Sequence, residues 1–254
     1  MRPTIDLNAD LGEGFGRSRV ADDEALLDLV SSANIACGFH AGDATTMRDT
    51  AKAAALRGVV IGAHPSYPDI PGFGRRELGL SPKKILFHVA CQLRAFRDIC
   101  SSENAKLSYV KAHGALYNRA ARDSSAAAAI AQAICDVDPS LVLLGLAGSE
   151  MAEAARANGL RFAAEAFADR AYRRDGSLVP RQESGAVIHD VQTAVERVLT
   201  LVRSNTIVAN DGTELRVVAQ SVCVHGDNPD ALPLLRQLRK TLEGSGATIA
   251  PFAA

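Results

Sequence analysis

The chain has 254 residues, 47% of them apolar and 22% charged, with a formal charge of −1 and no Trp. Enough apolar surface is present to exclude disorder, and the evenly scattered basic residues exclude the concentrated cationic block that a nucleic-acid backbone requires. No run of about 18 apolar residues occurs, so no membrane-spanning helix is expected.

In chain order, β-rich runs alternate with amphipathic stretches. Strands are predicted at 4–8, 33–37, 59–64, 107–112, 141–146, 161–165 and 217–224, with a short one near 247–250. Asp43 is placed to cap a helix over 44–57 that stops at Gly58. Ser81 and Pro82 open a second helix carrying Ile85, Leu86, Val89, Leu93 and Phe96 on one face. Asp190 opens a third, with Val191, Ala194, Val195, Val198, Leu199 and Val202 at helical spacing. Asn228-Pro229-Asp230 opens the last, which buries Leu232, Leu235, Leu238 and Leu242. Strict β-α alternation implies a parallel sheet with helical crossovers. At this length the expectation is an α/β fold: one parallel, TIM-like β/α barrel of seven or eight strands over residues 1–254, rather than an open doubly wound sheet. The segments 65–80 and 166–186 are long enough to be functional loops, and 206–215, centred on Asn210-Asp211-Gly212, reads as a β-hairpin.

The five cysteines, Cys37, Cys91, Cys100, Cys135 and Cys223, are scattered, with no C-x-x-C pair. A reduced, cytoplasmic protein follows, not a disulfide framework or a cysteine-ligated zinc. The first residues also lack the apolar core of a secretory signal.

Polar and titratable residues collect where the predicted strands end. Asn8, Asp10 and Glu13 follow the first strand, His40 and Asp43 the second, and His64 closes the third. Lys111 and His113 close the fourth, Glu165 the sixth, and His225 and Asp227 the seventh. In a parallel barrel these ends meet at one mouth, where active sites are built. Asp10 and Asp43 also suit helix capping, while His88 and His189 read as structural. Gly12, Gly14 and Gly16 read as turn geometry, because no G-x-x-x-x-G-K-[ST] phosphate loop is present. Arg75-Arg76 and Arg173-Arg174 read as solvated loop charges, with Arg170 and Arg181 better placed to hold an anion. Two chemistries remain open. His40, His64, His113 and His225 with Asp10 or Glu13 are ligand types for a divalent metal, though without a close His pair. Metal-free acid–base work by the same groups is the other. Lys111, two residues before His113 and so on the same side of its strand, needs an anion: a bound carboxylate or phosphoryl oxygen, or an internal partner in Asp10, Glu13 or Glu165.

The motifs Ile5-Asp-Leu-Asn-Ala-Asp-Leu-Gly-Glu-Gly-Phe-Gly16, Ala33-Asn-Ile-Ala-Cys-Gly-Phe-His-Ala-Gly-Asp43 and Ile61-Gly-Ala-His-Pro-Ser-Tyr-Pro-Asp69 resemble the LamB/YcsF family. So do Gly72-Phe-Gly-Arg-Arg76, His113-Gly-Ala-Leu-Tyr-Asn118, Glu165-Ala-Phe-Ala-Asp-Arg170 and Cys223-Val-His-Gly-Asp227. Ala112, Ala166 and Gln220 are small departures from the family pattern. The resemblance implies a barrel related to polysaccharide deacetylases. It also implies ATP-driven opening of 5-oxo-L-proline to L-glutamate together with two partner subunits, B and C; a homo-oligomer is compatible with it. Without a phosphate loop here, ATP is expected to be handled mainly by the partners. Asp10, His40, His64 and His113 are then expected to do acid–base work. Glu165, His225 and Asp227 would orient water or fix a tautomer. Lys111, Arg170 or Arg181 would hold an anion, with Asn8 and Glu13 in the substrate shell. A stand-alone metal-dependent amidohydrolase or deacetylase, and a non-catalytic scaffold, are the rival readings.

Overall fold

The computed structural model describes residues 3–16 and 20–253. Its elements are β1 (Thr4–Leu11), α1 (Asp23–Leu27), β2 (Ser32–Ala36), α2 (Ala44–Leu56), β3 (Val60–His64), α3 (Pro82–Ser102), β4 (Leu107–Val110), α4 (Gly114–Ala120) and α5 (Ser124–Val137). There follow β5 (Val142–Leu146), α6 (Glu150–Ala157), β6 (Phe162–Phe167), α7 (Val191–Ser204), β7 (Thr206–Val208), β8 (Glu214–Arg216), β9 (Ser221–Val224), α8 (Ala231–Gly244) and β10 (Thr248–Ile249). Strands β1 to β6 lie in sequential parallel order, and β9 closes the ring by pairing with both β6 and β1. The barrel therefore has seven strands. The apolar run near 247–250 does form a strand, but β10 pairs only with the start of β1, at Thr4 and Ile5, where β9 has not yet begun. β7 and β8 form the expected antiparallel hairpin outside the barrel.

Helix starts follow their side-chain chemistry. Asp43 Oδ1 accepts from Thr46 N at 2.8 Å and Asp190 Oδ1 from Thr193 N at 2.7 Å, satisfying donors that an α-helix leaves open. Ser81 precedes Pro82 and makes no side-chain cap, and Pro82 at the first position has no N–H to satisfy. The helices lay apolar faces against the outside of the barrel, where Leu7, Ala9, Leu11, Ile35, Ile61 and Leu143 meet Leu93, Phe96, Ile130, Val198 and Leu235 in one core.

Alternation along the strands turns the other set of residues inward. Asp6, Asn8 and Asp10 of β1 meet Ser32, Asn34, Lys111, Glu165 and Ser221 across the barrel interior. Burial pushes the Asp6 carboxyl up to about 6, against the hydroxyls of Ser221, Ser32 and Ser31 that donate to it. The bottom of the barrel is apolar: Tyr109, Val142, Leu144 and Ala163 pack with Phe252 and Ala253 from the C-terminal tail. Gly62 of β3 makes room for Tyr109, whose ring would lie 2.2 Å from a Cβ at that position. With the bottom plugged, access is from the strand C-terminal ends.

Candidate active site

A cavity of about 550 Å³ opens at that mouth, lined by Asp10, His64, Lys111, His113, Arg170, Arg181 and His225, and also by Arg75, Tyr117, Phe167, Arg173 and Arg174. One wall comes from β1, β3 and β4. His64 Nδ1 lies 2.7 Å from the Lys111 carbonyl oxygen, and His113 Nε2 lies 2.9 Å from that of Phe73. A carbonyl only accepts, so these ring nitrogens carry the protons. The other two, His64 Nε2 and His113 Nδ1, face each other at 3.1 Å. Asp10 Oδ1 is 3.4 Å from His64 Nε2, and Glu13 Oε1 is 3.5 Å from His113 Nδ1. His40 stacks flat on His113, with centroids 3.8 Å apart, and its Nε2 is 3.2 Å from Glu13 Oε1. Burial, reinforced by the neighbouring imidazoles, holds His40 and His113 well below the usual histidine range.

This wall is covered by the 65–80 loop. Gln92 of α3 pairs with both backbone groups of Ser66, at 2.9 Å each, and Asp69 accepts from Gly72 N and from the Arg76 guanidinium. Gly74, at φ +64°, lets the loop lie on the imidazoles: a Cβ there would come within 2.8 Å of His113 and 2.9 Å of His40.

The opposite wall comes from β6, β9 and the segment after β6. Asp169 Oδ1 is 2.9 Å from His225 Nδ1, and Asp169 Oδ2 accepts from Asn228 Nδ2 at 3.2 Å. The carboxylate fixes the proton on Nδ1, which leaves the lone pair of His225 on Nε2. Burial opposes ionisation of Asp169, but His225 and Asn228 outweigh it and hold the carboxyl below its usual range. Phe167 stacks on the His225 ring at 5.2 Å. Arg170, 3% exposed, donates to the Val179 carbonyl at 2.6 Å and the Ala186 carbonyl at 3.3 Å, folding the 168–187 segment against the mouth. Burial, with Arg181 nearby, pushes the Arg170 guanidinium down to about 10. Arg75 and Arg181 share one carboxylate, Asp227, at 2.5 and 3.6 Å.

Between the walls lies Lys111. Its Nζ meets Asp10 Oδ1 at 3.2 Å, Glu165 Oε2 at 3.1 Å, Asn8 Oδ1 at 3.3 Å and Cys223 Sγ at 3.0 Å. Of the alternatives left open for this lysine, the internal ion pair is the one observed.

The structure thus brings Asp10, His64, His113, Lys111, Arg170, Arg181 and His225 to one cavity. Asn8 and Glu165 sit below it as partners of Lys111. His40 and Glu13 stand behind His113, and Asp227 stands behind Arg75 and Arg181. The loop arginines differ from expectation. Arg75 is a wall residue rather than a solvated charge, because Phe73 and Gly74 turn it inward over the Phe73 ring and onto Asp227. Arg173 and Arg174, although exposed, also line the cavity, while Arg76 is tied to Asp69. Asp169 is a site residue that strand-end reasoning passes over. Its signal is position: β6 runs on to Phe167, so Asp169 stands at the strand end that the apolar pattern assigns to Glu165.

The chain matches the model of the LamB/YcsF family over residues 5–254. It is 51% identical to the 5-oxoprolinase A subunit of Bordetella parapertussis, over 98% of this chain and 99% of that one. It is 50% identical to the 5-oxoprolinase A subunit of Streptomyces avermitilis, over 98% and 100%. Among solved structures, the lactam utilization protein from Thermus thermophilus superimposes with a TM-score of 0.92 at 42% identity, over 98% of this chain and 100% of that one. Every motif that builds the two walls lies inside the matched span, and the chain belongs to the LamB/YcsF family.

Proposed function

We propose that this chain is the A subunit of an ATP-dependent 5-oxoprolinase, which opens the lactam of 5-oxo-L-proline to L-glutamate together with B and C subunits. The observation that carries the reading is the end-to-end likeness, near 50% identity, to chains named as 5-oxoprolinase A subunits. The site is compatible with it. A small cyclic acid offers one carboxylate and one amide, and the cavity offers a cationic wall and an acid–base wall. Arg75 and Arg181, left with half a carboxylate each, and Arg170, whose guanidinium hydrogen-bonds to the Val179 and Ala186 carbonyls, suit the substrate carboxylate. His225, held by Asp169, suits the proton work: Nε2 takes a proton from the attacking water and returns it to the ring nitrogen as the C–N bond breaks.

An amide in a five-membered ring is a poor electrophile, and transfer of the ATP γ-phosphoryl group to its oxygen would activate it. This chain carries no phosphate loop, so we assign nucleotide binding mainly to the partners. Five free cysteines accord with a cytoplasmic setting, and among the described residues no helix is long and apolar enough to cross a membrane. The test is glutamate release from 5-oxoproline and ATP. We expect it from this chain mixed with B and C and not from this chain alone. A folded mixture of all three chains that releases no glutamate would overturn the reading, and release by this chain alone would favour a stand-alone amidohydrolase.

A further inference from the structure

We propose that Asp10, Glu13, His64 and His113 form a binding site for one divalent first-row transition-metal ion at the inner wall of the cavity. The inference rests on hydrogen-bond geometry and holds whatever the substrate is. His64 and His113 each spend their single N–H on a backbone carbonyl, at 2.7 and 2.9 Å. Their remaining nitrogens, 3.1 Å apart, therefore point lone pair at lone pair. Neither can donate to the other, and such an arrangement needs an electron-pair acceptor between them.

A shared proton would satisfy the two nitrogens alone. Asp10 Oδ1 at 3.4 Å from one and Glu13 Oε1 at 3.5 Å from the other would then be held mainly by charge, since both contacts are longer than an ordinary N–H···O bond. A metal ion accounts for all four atoms. Bonds of about 2.0–2.1 Å in a tetrahedron place neighbouring ligand atoms about 3.3–3.4 Å apart. The observed separations of 3.1, 3.4 and 3.5 Å bracket that value, and ligand atoms from all four residues lie within 4.8 Å of one another.

The groups behind the ligands are those a metal centre uses. Both imidazoles are oriented by carbonyls, Asn34 Nδ2 donates to Asp10 Oδ1 at 2.8 Å, and His40 Nε2 holds Glu13 Oε1 at 3.2 Å. Two imidazoles and two carboxylates, with no thiolate, select Zn²⁺, Co²⁺, Mn²⁺ or Fe²⁺ over Ca²⁺ or Mg²⁺. The spacing rule that makes a metal motif visible in sequence fails here, since the four ligands come from β1, the turn after it, β3 and the turn after β4. Asp10, His64 and His113 line the cavity, so a bound ion would supply Lewis acidity at a carbonyl seated there.

The test uses the full chain, stripped with a chelator and titrated with Co²⁺ while the visible ligand-field bands and the thermal midpoint are followed. We expect one Co²⁺ per chain, bands of a nitrogen–oxygen site, and a higher midpoint. His64→Gln and Glu13→Gln should each weaken Co²⁺ binding by more than about 100-fold, while His88→Gln, outside the cluster on α3, should bind as the parent does. The proposal is overturned if the folded parent chain gives no bands and binds less than a stoichiometric ion. It is equally overturned if Co²⁺ binds but His64→Gln and Glu13→Gln, folded by circular dichroism, bind it unchanged. Should either variant fail to fold, the parent titration and the remaining variant decide.

Discussion

On the β1–β3–β4 side of the cavity the polar atoms are electron-pair donors, two imidazoles and two carboxylates whose lone pairs converge. On the β6–β9 side they are cations and one oriented imidazole, with Arg75 and Arg181 outnumbering the single Asp227 they share. Both sides are built on the same parallel strands, so the difference comes from what covers each strand end. The carbonyls of Phe73, in the 65–80 loop, and of Lys111, after β4, take the imidazole N–H groups and turn the lone pairs inward. The segment after β6 brings Arg170 and Arg181, and the 65–80 loop reaches across with Arg75. A bound acid with one carboxylate is thereby oriented: its charge is drawn to one wall and its neutral, reacting end is presented to the other.

The largest effect that would break this comparison lies in the Asp169–His225 pair. His225→Gln should lower ATP-dependent glutamate release by the assembled complex by about 10²–10⁴, the range for loss of a general acid–base. Asp169→Asn should fall in the same range with little change in KM, because the amide can donate to Nδ1 and move the imidazole proton to Nε2. Near-parental turnover in both folded variants would leave the β6–β9 wall with binding alone.

Next in size is Lys111, which separates the walls. Two residues before His113, it invites reading as an anion receiver, yet its charge is already met by Asp10 and Glu165. Lys111→Met would leave two buried carboxylates without their cation. A loss of about 3–5 kcal/mol in unfolding free energy is expected, as for breaking one partner out of a buried pair. Urea unfolding of the parent and variant would measure it. A change under about 1 kcal/mol would mean that the interior carboxylates are not held by this lysine.

The mouth itself was legible in the sequence, since β-α alternation alone puts Asp10, His64, Lys111, His113 and His225 at equivalent strand ends. Depth was less so. Asn8 shares a face with Asp10, but two residues of strand place it about 6.6 Å lower, in the Lys111 network rather than the cavity. Glu165 is in the same position relative to Phe167, because β6 is longer than its apolar run implied. Asp169 meets His225 only because the β7–β8 hairpin leaves the barrel and lets β9 pair with β6, across 56 residues of chain. Arg75 depends on the left-handed turn at Phe73 and Gly74, which no periodicity reveals.

The smallest predicted effect probes the cationic wall through Arg181. Its side chain is 24% exposed, and its contact with Asp227 is long, at 3.6 Å, beside the closer Arg75 contact at 2.5 Å. Removing Arg181 therefore leaves Asp227 paired and the wall folded, so the cost should fall on the ligand. A charge-assisted contact is worth about 1.5–3 kcal/mol, and partial exposure argues for the lower end. Arg181→Met in the assembled complex should raise the KM for 5-oxoproline by about 10-fold with kcat nearly unchanged, as for a contact made equally in ground and transition states. Arg181→Lys should recover only part of that loss, because an ammonium keeps the charge and loses the planar fork. If Arg181→Met lowered kcat instead and left KM alone, the guanidinium would be acting on the reacting end of the substrate, and the division of labour between the two walls would have to be redrawn.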